Sequence, residues 1–412
     1  MLHITGALSL DGNPIELMLS SQQSQELNVN SLSVFPGLID PHVHFRTPGM
    51  EHKEDWRTAA RAAICGGYTT VFDMPNTIPP TVTAETLIEK KALINKQLAE
   101  INLPLRYELY FGADKNHLQE IYRVQHDVIG IKVFMGCSTG NLVIDDDESL
   151  HKVFKIAAEL NLLVAVHAED EVMVRQRNKQ FSYRKQYRDH SLIRNVDVAV
   201  CAVAKAIDLS RTYHTRLYIL HISTADEVTL IRSAKAEGLS VYAETTPHHL
   251  FLHEGAYVDL QGKAVVNPPL RSGEHHQKLW DAINDSTIDT IGSDHAPHLE
   301  SEKANAYGAC PSGMPGIETT LPLLLTAYHA GFISLQRIVE LTCTRAREIF
   351  KLTPNEDCVL VNLHKTKVIN NAELQTKCKW SAFAGHKLTG WPAYTIIGGQ
   401  VFDLQERGRP MT

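Results

Sequence analysis

Several residues in this sequence are of the kinds that hold metal ions, and each closes or interrupts a short apolar run. His42 and His44 flank Val43 at the end of the run 34–45, VFPGLIDPHVHF. In an extended strand residues i and i+2 point the same way, so both imidazoles can reach one ion. Val166-His167-Ala168-Glu169 closes the run 162–167, and Leu220-His221-Ile222-Ser223 closes the run 216–222. One histidine after an apolar run is ordinarily a satisfied core residue; two more at equivalent strand ends turn the reading toward metal. Asp294, in Gly292-Ser293-Asp294-His295-Ala296-Pro297-His298, closes the run 288–293. It fits a metal ligand, a general base or both, against the common use of aspartate after a strand as a helix cap.

Lys132 lies amid apolar neighbours in Gly130-Ile131-Lys132-Val133-Phe134. A buried ammonium facing metal cations is strongly disfavoured. The lysine is then either a snorkelling or ion-paired side chain, or an amine neutral enough to take up CO2. The resulting carbamate is an anion able to bridge two metals.

Such residues need a scaffold that gathers strand ends. The candidate strands are 34–45, 68–74, 106–111, 129–134, 162–167, 216–222, 239–244 and 288–293, each rich in Val, Ile, Tyr or Phe. That composition suits parallel strands covered on both faces. Amphipathic stretches at 55–65, 84–100, 147–160, 197–210, 225–237 and 274–284 separate them, with Asp197, Thr224 and Ser272 as expected caps. The alternation predicts an α/β fold, a closed (β/α)8 TIM-like barrel over 34–352, with 320–330 and 334–350 completing its outer ring. Barrel enzymes build their sites at the C-terminal ends of the strands, where the histidines and Asp294 fall. Residues 1–33 and 353–412 carry short alternating strand signals, and neither end is large enough to hold a core. Paired, they predict a small β-domain beside the barrel.

Composition narrows the class. The chain has 412 residues, 43% hydrophobic and 21% charged, a soluble globular balance that excludes a disordered or fibrous chain. A net charge of −7 with no basic block argues against nucleic acid or an anionic membrane as the main partner. No apolar run approaches the roughly 18 residues of a membrane span. The start Met1-Leu2-His3-Ile4-Thr5-Gly6 lacks the pattern of a signal peptide. The 7 cysteines are scattered without a CxxC pair, which points to a reduced cytoplasmic setting.

Longer motifs join these residues. Phe35-Pro36-Gly37-Leu38-Ile39-Asp40-Pro41-His42-Val43-His44-Phe45-Arg46 is followed by Gly66-Gly67-Tyr68-Thr69-Thr70 and Met74-Pro75-Asn76-Thr77. Pro247-His248-His249-Leu250, Asn267-Pro268-Pro269-Leu270-Arg271 and the Asp294 motif come later. Together they resemble the dihydroorotases of the amidohydrolase superfamily over about 35–350. The resemblance implies two zinc ions, one on His42, His44 and Asp294 and the other on His167 and His221, bridged by an N6-carboxylated Lys132 that needs CO2. It implies reversible interconversion of dihydroorotate and N-carbamoyl-L-aspartate in pyrimidine biosynthesis, with Asp294 as general base and then acid. Arg46, Asn76 and His298 match the residues that bind the substrate carboxylate; Asn267, Ser312 and Gly313 match those that contact the ring. Some relatives carry cysteine where this chain has Leu220, so a third metal using Glu244 is not expected. Thr47 stands where the common pattern has glutamate.

The loop Met135-Gly136-Cys137-Ser138-Thr139-Gly140-Asn141 suits a mobile lid as well as an ordinary βα turn. Cys137 has no identifiable base partner and is not read as a nucleophile. A small-molecule substrate is the expected partner, and the resemblance adds a homodimer and an association with aspartate carbamoyltransferase. Two other readings stand beside this one: an allantoinase or dihydropyrimidinase-like cyclic amidase, and a non-catalytic homologue that partners aspartate carbamoyltransferase.

Overall fold

A computed structural model describes residues 1–136 and 142–405, with the backbone of the strand at Arg409–Pro410. Cys137 and most of the expected lid lie outside the described residues. The chain opens with β1 (Leu2–Leu8), β2 (Pro14–Leu19) and β3 (Gln25–Pro36). Eight strands follow: β4 (Leu38–Val43), β5 (Tyr68–Asp73), β6 (Arg106–Gly112), β7 (Gly130–Phe134), β8 (Leu163–His167), β9 (Arg216–Ile219), β10 (Val241–Thr245) and β11 (Thr290–Ile291). They pair in chain order as one parallel sheet, with helices in the connections. This is the barrel that the alternation of strands and helices predicts.

The chain ends with β12 (Cys358–Val368), β13 (Lys387–Ile397), β14 (Gln400–Asp403) and β15 (Arg409–Pro410). These join the first three strands in a separate seven-stranded sheet of order β15-β14-β13-β12-β3-β1-β2. Antiparallel pairing of β3 with β12, from Cys358 opposite Pro36 to Val361 opposite Ser33, brings the two ends together.

The barrel closes between β4 and β11 by side chains and single contacts. A parallel bridge joins Val43 to His295, and the His44 N–H donates to the His295 carbonyl at 2.9 Å. Below it the buried Asp40 carboxylate accepts from the Ser293 N–H at 3.0 Å and the His42 N–H at 3.2 Å. A ladder missing at the seam is thus replaced by one aspartate that satisfies two buried amides.

Several local expectations shift. The run 34–45 is two elements, since Val34, Phe35 and Pro36 end β3 and the barrel strand starts at Leu38. The break falls at Gly37, where a Cβ would stand 2.4 Å from Thr69 Oγ1. Thr224 caps its helix in a capping box with Glu227. Asp197 lies inside the first turn of the helix Val196–Tyr213, capped at Asn195, where its charge still suits the helix dipole. Ser272 precedes Gly273, the cap of the helix Glu274–Asn284. The stretch 334–350 is interrupted by a π-helical turn at Glu340–Thr344.

One buried ion pair ties the outer ring to the strand ends. Lys90, on the helix Ala84–Ile101, places Nζ 2.6 Å from Asp73 at the end of β5 and donates to the Met74 carbonyl at 2.8 Å. The other Asp73 oxygen accepts from the Phe45 N–H at 2.8 Å, just past the histidine pair. Removing one partner of a buried pair leaves an uncompensated charge, at a cost of roughly 3–5 kcal/mol. Lys90→Met is expected to lower the unfolding free energy by about that amount in urea titrations. Lys91→Met, which breaks the exposed Lys91–Asp127 pair, is expected to cost about 1 kcal/mol or less.

Candidate active site

The strand ends supply the side chains as their register requires. His42 and His44 leave β4 on one side, and Asp294 follows β11 across the seam. His42 Nε2 and His44 Nε2 stand 3.3 and 3.2 Å from the same Asp294 oxygen. Among the described residues this trio is the group whose donor atoms converge, all within 4.8 Å of one another. The second expected pair lies beside it: His167 Nδ1 and His221 Nε2 face each other at 2.9 Å, and the His42 and His221 rings are 5.4 Å apart. His221 Nδ1 is buried without a partner in the described structure.

Each of three imidazoles is held from behind. Glu244, on β10, pairs with His42 Nδ1 at 2.8 Å and accepts from the Tyr218 hydroxyl at 2.9 Å. Asn76 Oδ1 pairs with His44 Nδ1 at 2.8 Å. Glu169 pairs with His167 Nε2 at 2.9 Å and forms a close ion pair with Arg194. Such partners fix the ring orientation and the tautomer of a ligating histidine. Burial opposes ionisation of Asp294, but His42 and His44 hold its carboxyl well below the usual carboxylate range. Burial, reinforced by His167 and His42, holds His221 well below its ordinary value. A neutral imidazole beside an ionised carboxylate is the form that binds metal.

Lys132 sits in this field. Its side chain is 1% exposed, and among the described residues its Nζ makes no hydrogen bond or ion pair. The nearest aromatic face is Phe134, with the ring centroid 4.5 Å from Nζ. Burial pulls the ammonium down to about 7, against the opposing charges of Asp294 and Glu244. That excludes the snorkelling and ion-paired alternatives. The imidazole and carboxylate donor set, the unpartnered His221 nitrogen and this buried, readily deprotonated amine all fit a site for divalent metal of the zinc class.

A small cleft opens onto His44 and Asp294 of the trio, lined also by Arg46, Asn76, Asn267, Ala296, Ser312 and Gly313. Five of the residues expected at a substrate site therefore share one space. Gly313, at φ +132°, is required there, since a Cβ would meet the Ala296 carbonyl at 2.7 Å. His190 supports Asn267, with Nε2 2.9 Å from Oδ1. His298 is placed differently: it is fully buried behind Arg46, Nε2 3.1 Å from Arg46 Nη2, and does not line the cleft. Arg46, His221 and Asp294 all take left-handed backbone, with φ of 62°, 41° and 43°. Non-glycine residues held there store strain, as is common at functional sites.

The amidohydrolase family model matches residues 33–401. The chain belongs to the amidohydrolase family. A relative named dihydroorotase from Halobacterium salinarum is 34% identical over 404 residues, covering 95% of this chain and 92% of the relative. One of the same name from Methanosarcina acetivorans is 33% identical over 405 residues, covering 94% and 85%. Among solved structures, the L-hydantoinase (dihydropyrimidinase) of Arthrobacter aurescens superposes with a TM-score of 0.92 at 27% identity, covering 100% of this chain and 97% of that one.

In this amidohydrolase, sequence reasoning passed over Glu169 and the role of Glu244 behind His42. Both signals were present: an acid two residues past His167, and an acid ending the apolar run 239–244. Gly292 marks the Glu244 pocket, because a Cβ there would stand 2.4 Å from the Glu244 carboxylate. Loss of a carboxylate behind a ligating histidine costs about 10–100-fold in metal affinity. Glu244→Ala is expected to weaken the binding of added zinc ion, used as a divalent-metal probe, by about that factor in competition with a chromogenic chelator.

Proposed function

We propose that this chain is a zinc-dependent dihydroorotase, interconverting (S)-dihydroorotate and N-carbamoyl-L-aspartate in pyrimidine biosynthesis. The observation that carries this reading is Arg46, a 2% exposed arginine lining the cleft with His44 and Asp294. A buried guanidinium facing a small polar cleft calls for a carboxylate, which its planar fork binds in two charge-assisted hydrogen bonds. Dihydroorotate carries that group, and rings that lack it leave the charge uncompensated. The relatives named dihydroorotase support the same substrate. The hydantoinase likeness favours a carboxylate-free cyclic amide as the second reading, and Arg46 argues against it.

His42, His44 and Asp294 would hold one zinc and His167 and His221 a second, with Lys132, carboxylated by CO2, as a further ligand. Bound there, the ions supply Lewis acidity, making water nucleophilic near neutral pH and polarising an amide carbonyl. Arg46, with Asn76 beside it, anchors the substrate carboxylate and so sets the ring amide against the histidine end of the cleft. Asn267 and the Ser312-Gly313 backbone hold the ring. The Asp294 carboxylate takes a proton from the attacking water and returns it to the ring nitrogen that leaves. In reverse, the same carboxylate takes the proton from the ureido nitrogen as the ring closes. A complete set of proposed ligands supports a catalytic role over a scaffold for aspartate carbamoyltransferase. The reading also includes a cytoplasmic homodimer that associates with aspartate carbamoyltransferase, to be tested by sedimentation of the purified proteins.

The deciding assay measures dihydroorotate hydrolysis and carbamoyl-aspartate cyclisation with zinc content determined on the same sample. Turnover in both directions with two zinc ions per chain is expected; a zinc-loaded protein inert toward both compounds would falsify the reading. Lys132→Ala is expected to lose zinc and activity, with partial rescue by short carboxylic acids. Arg46→Met is expected to raise KM for dihydroorotate by about 10–100-fold, the worth of a charge-assisted pair. For dihydrouracil, which lacks the carboxylate, a change below about threefold is expected.

A further inference from the structure

Arg46 can bind a substrate carboxylate only if the protein does not occupy its fork, and the nearest neighbour of that fork is His298. Two groups decide which His298 nitrogen carries the proton. Lys53 Nζ lies 3.0 Å from Nδ1, and an ammonium only donates, so Nδ1 accepts. The Ser312 carbonyl lies 3.0 Å from Nε2, and a carbonyl only accepts, so Nε2 carries the hydrogen. The ring is thereby fixed as the neutral Nε2–H tautomer. Arg46 Nη2, 3.1 Å from that same Nε2, then faces a donor and gains no hydrogen bond from it. Among the described residues the one acceptor paired with the guanidinium is the Pro297 carbonyl, 3.1 Å from Nε, which leaves the terminal nitrogens to the cleft.

Lys53 is itself anchored. Glu302 lies 3.0 Å from its Nζ, and its N–H donates to the Met50 carbonyl at 2.9 Å. The Met50 N–H in turn donates to the Arg46 carbonyl at 3.0 Å, so a short turn runs from the arginine to the lysine. Glu302 also waits on the other side, 3.8 Å from His298 Nδ1. Without the lysine, Nδ1–H can turn to that carboxylate, and Nε2 becomes an acceptor for Arg46. The fork is then closed from within.

We propose that Lys53 is a positioning residue for the substrate carboxylate, acting through the His298 tautomer to keep the Arg46 fork open. This rests on the dihydroorotase reading for its substrate and on the geometry of Arg46, His298, Lys53, Ser312 and Glu302 for its mechanism. It makes Lys53, which does not line the cleft, a determinant of affinity and not of chemistry.

The test uses zinc-loaded enzyme with Lys53→Met, which removes the donor, and Lys53→Gln, which keeps an N–H donor without the charge. Lys53→Met is expected to raise KM for dihydroorotate about tenfold with kcat within about twofold, and to move the His298 nitrogen-15 signals from the Nε2–H to the Nδ1–H pattern. The His298 signals are identified by their loss in His298→Asn. Lys53→Gln is expected to restore both readouts, with zinc content and Tm unchanged in both variants. The proposal is overturned if Lys53→Met leaves KM unchanged, or if Lys53→Gln is as impaired as Lys53→Met, which would make the effect one of charge alone. It is also overturned if His298 is already Nδ1–H in the parent protein, or if the KM rise comes with lost zinc or a lower Tm. A parent enzyme inert toward dihydroorotate sinks the functional reading instead, and the tautomer signals still decide the Lys53 relay.

Discussion

The bridge between Val43 and His295 is the contact on which the rest of the site depends. Parallel strands around a barrel are related by a regular ladder, but at this seam the ladder gives way to a short join at the C-terminal rim. The join falls between the two histidines of β4 and one residue past Asp294, so closing the barrel and assembling the trio are one event. Asp40 holds the seam a few residues deeper, and the Lys90–Asp73 pair fixes the chain as it leaves through Phe45. Loss of closure would separate Asp294 from His42 and His44, since they lie on opposite sides of the seam.

Above that seam the side chains are arranged as opposed charges in a low-dielectric space. Glu244, Glu169 and Asp294 each face an imidazole, while among the described residues Lys132 and Arg46 stand without a carboxylate bonded to them. Buried positive groups of this kind are costly unless something else compensates them. At Lys132 burial answers that demand by lowering the ammonium to about 7, so that it gives up its proton readily. At Arg46, always protonated near neutral pH, the proposed reading has it met by the substrate carboxylate from the cleft. The same physical rule thus separates a residue that changes its chemistry from one that selects a ligand.

The barrel, the strand-end histidines, Asp294 and Lys132 were legible because each depends on local pattern: a short apolar run, a period of two, a polar residue at its end. What escaped depends on distance in space between residues far apart in the chain. Glu244 meets His42 from 202 residues away, and Lys53 meets His298 from 245. The run 34–45 reads as one strand because its hydrophobicity is continuous, whereas the break at Gly37 lies where Thr69 and Asp357, distant in the chain, crowd the backbone. His298 was rightly grouped with Arg46 by motif, but no spacing reveals that it lies behind the arginine instead of beside it. Asp197 and Ser272 missed their caps by one or two positions, the usual scale on which helix ends are set by tertiary contacts.

The left-handed backbone at Arg46, His221 and Asp294 bears on how this protein can change. Glycine adopts such angles freely, whereas an arginine, histidine or aspartate is held there only by its surroundings. At these three positions the fold by itself would favour glycine, and only the need for the side chain opposes it. Exchange of any of the three for glycine would therefore keep the backbone path while removing the guanidinium, imidazole or carboxylate that the path presents.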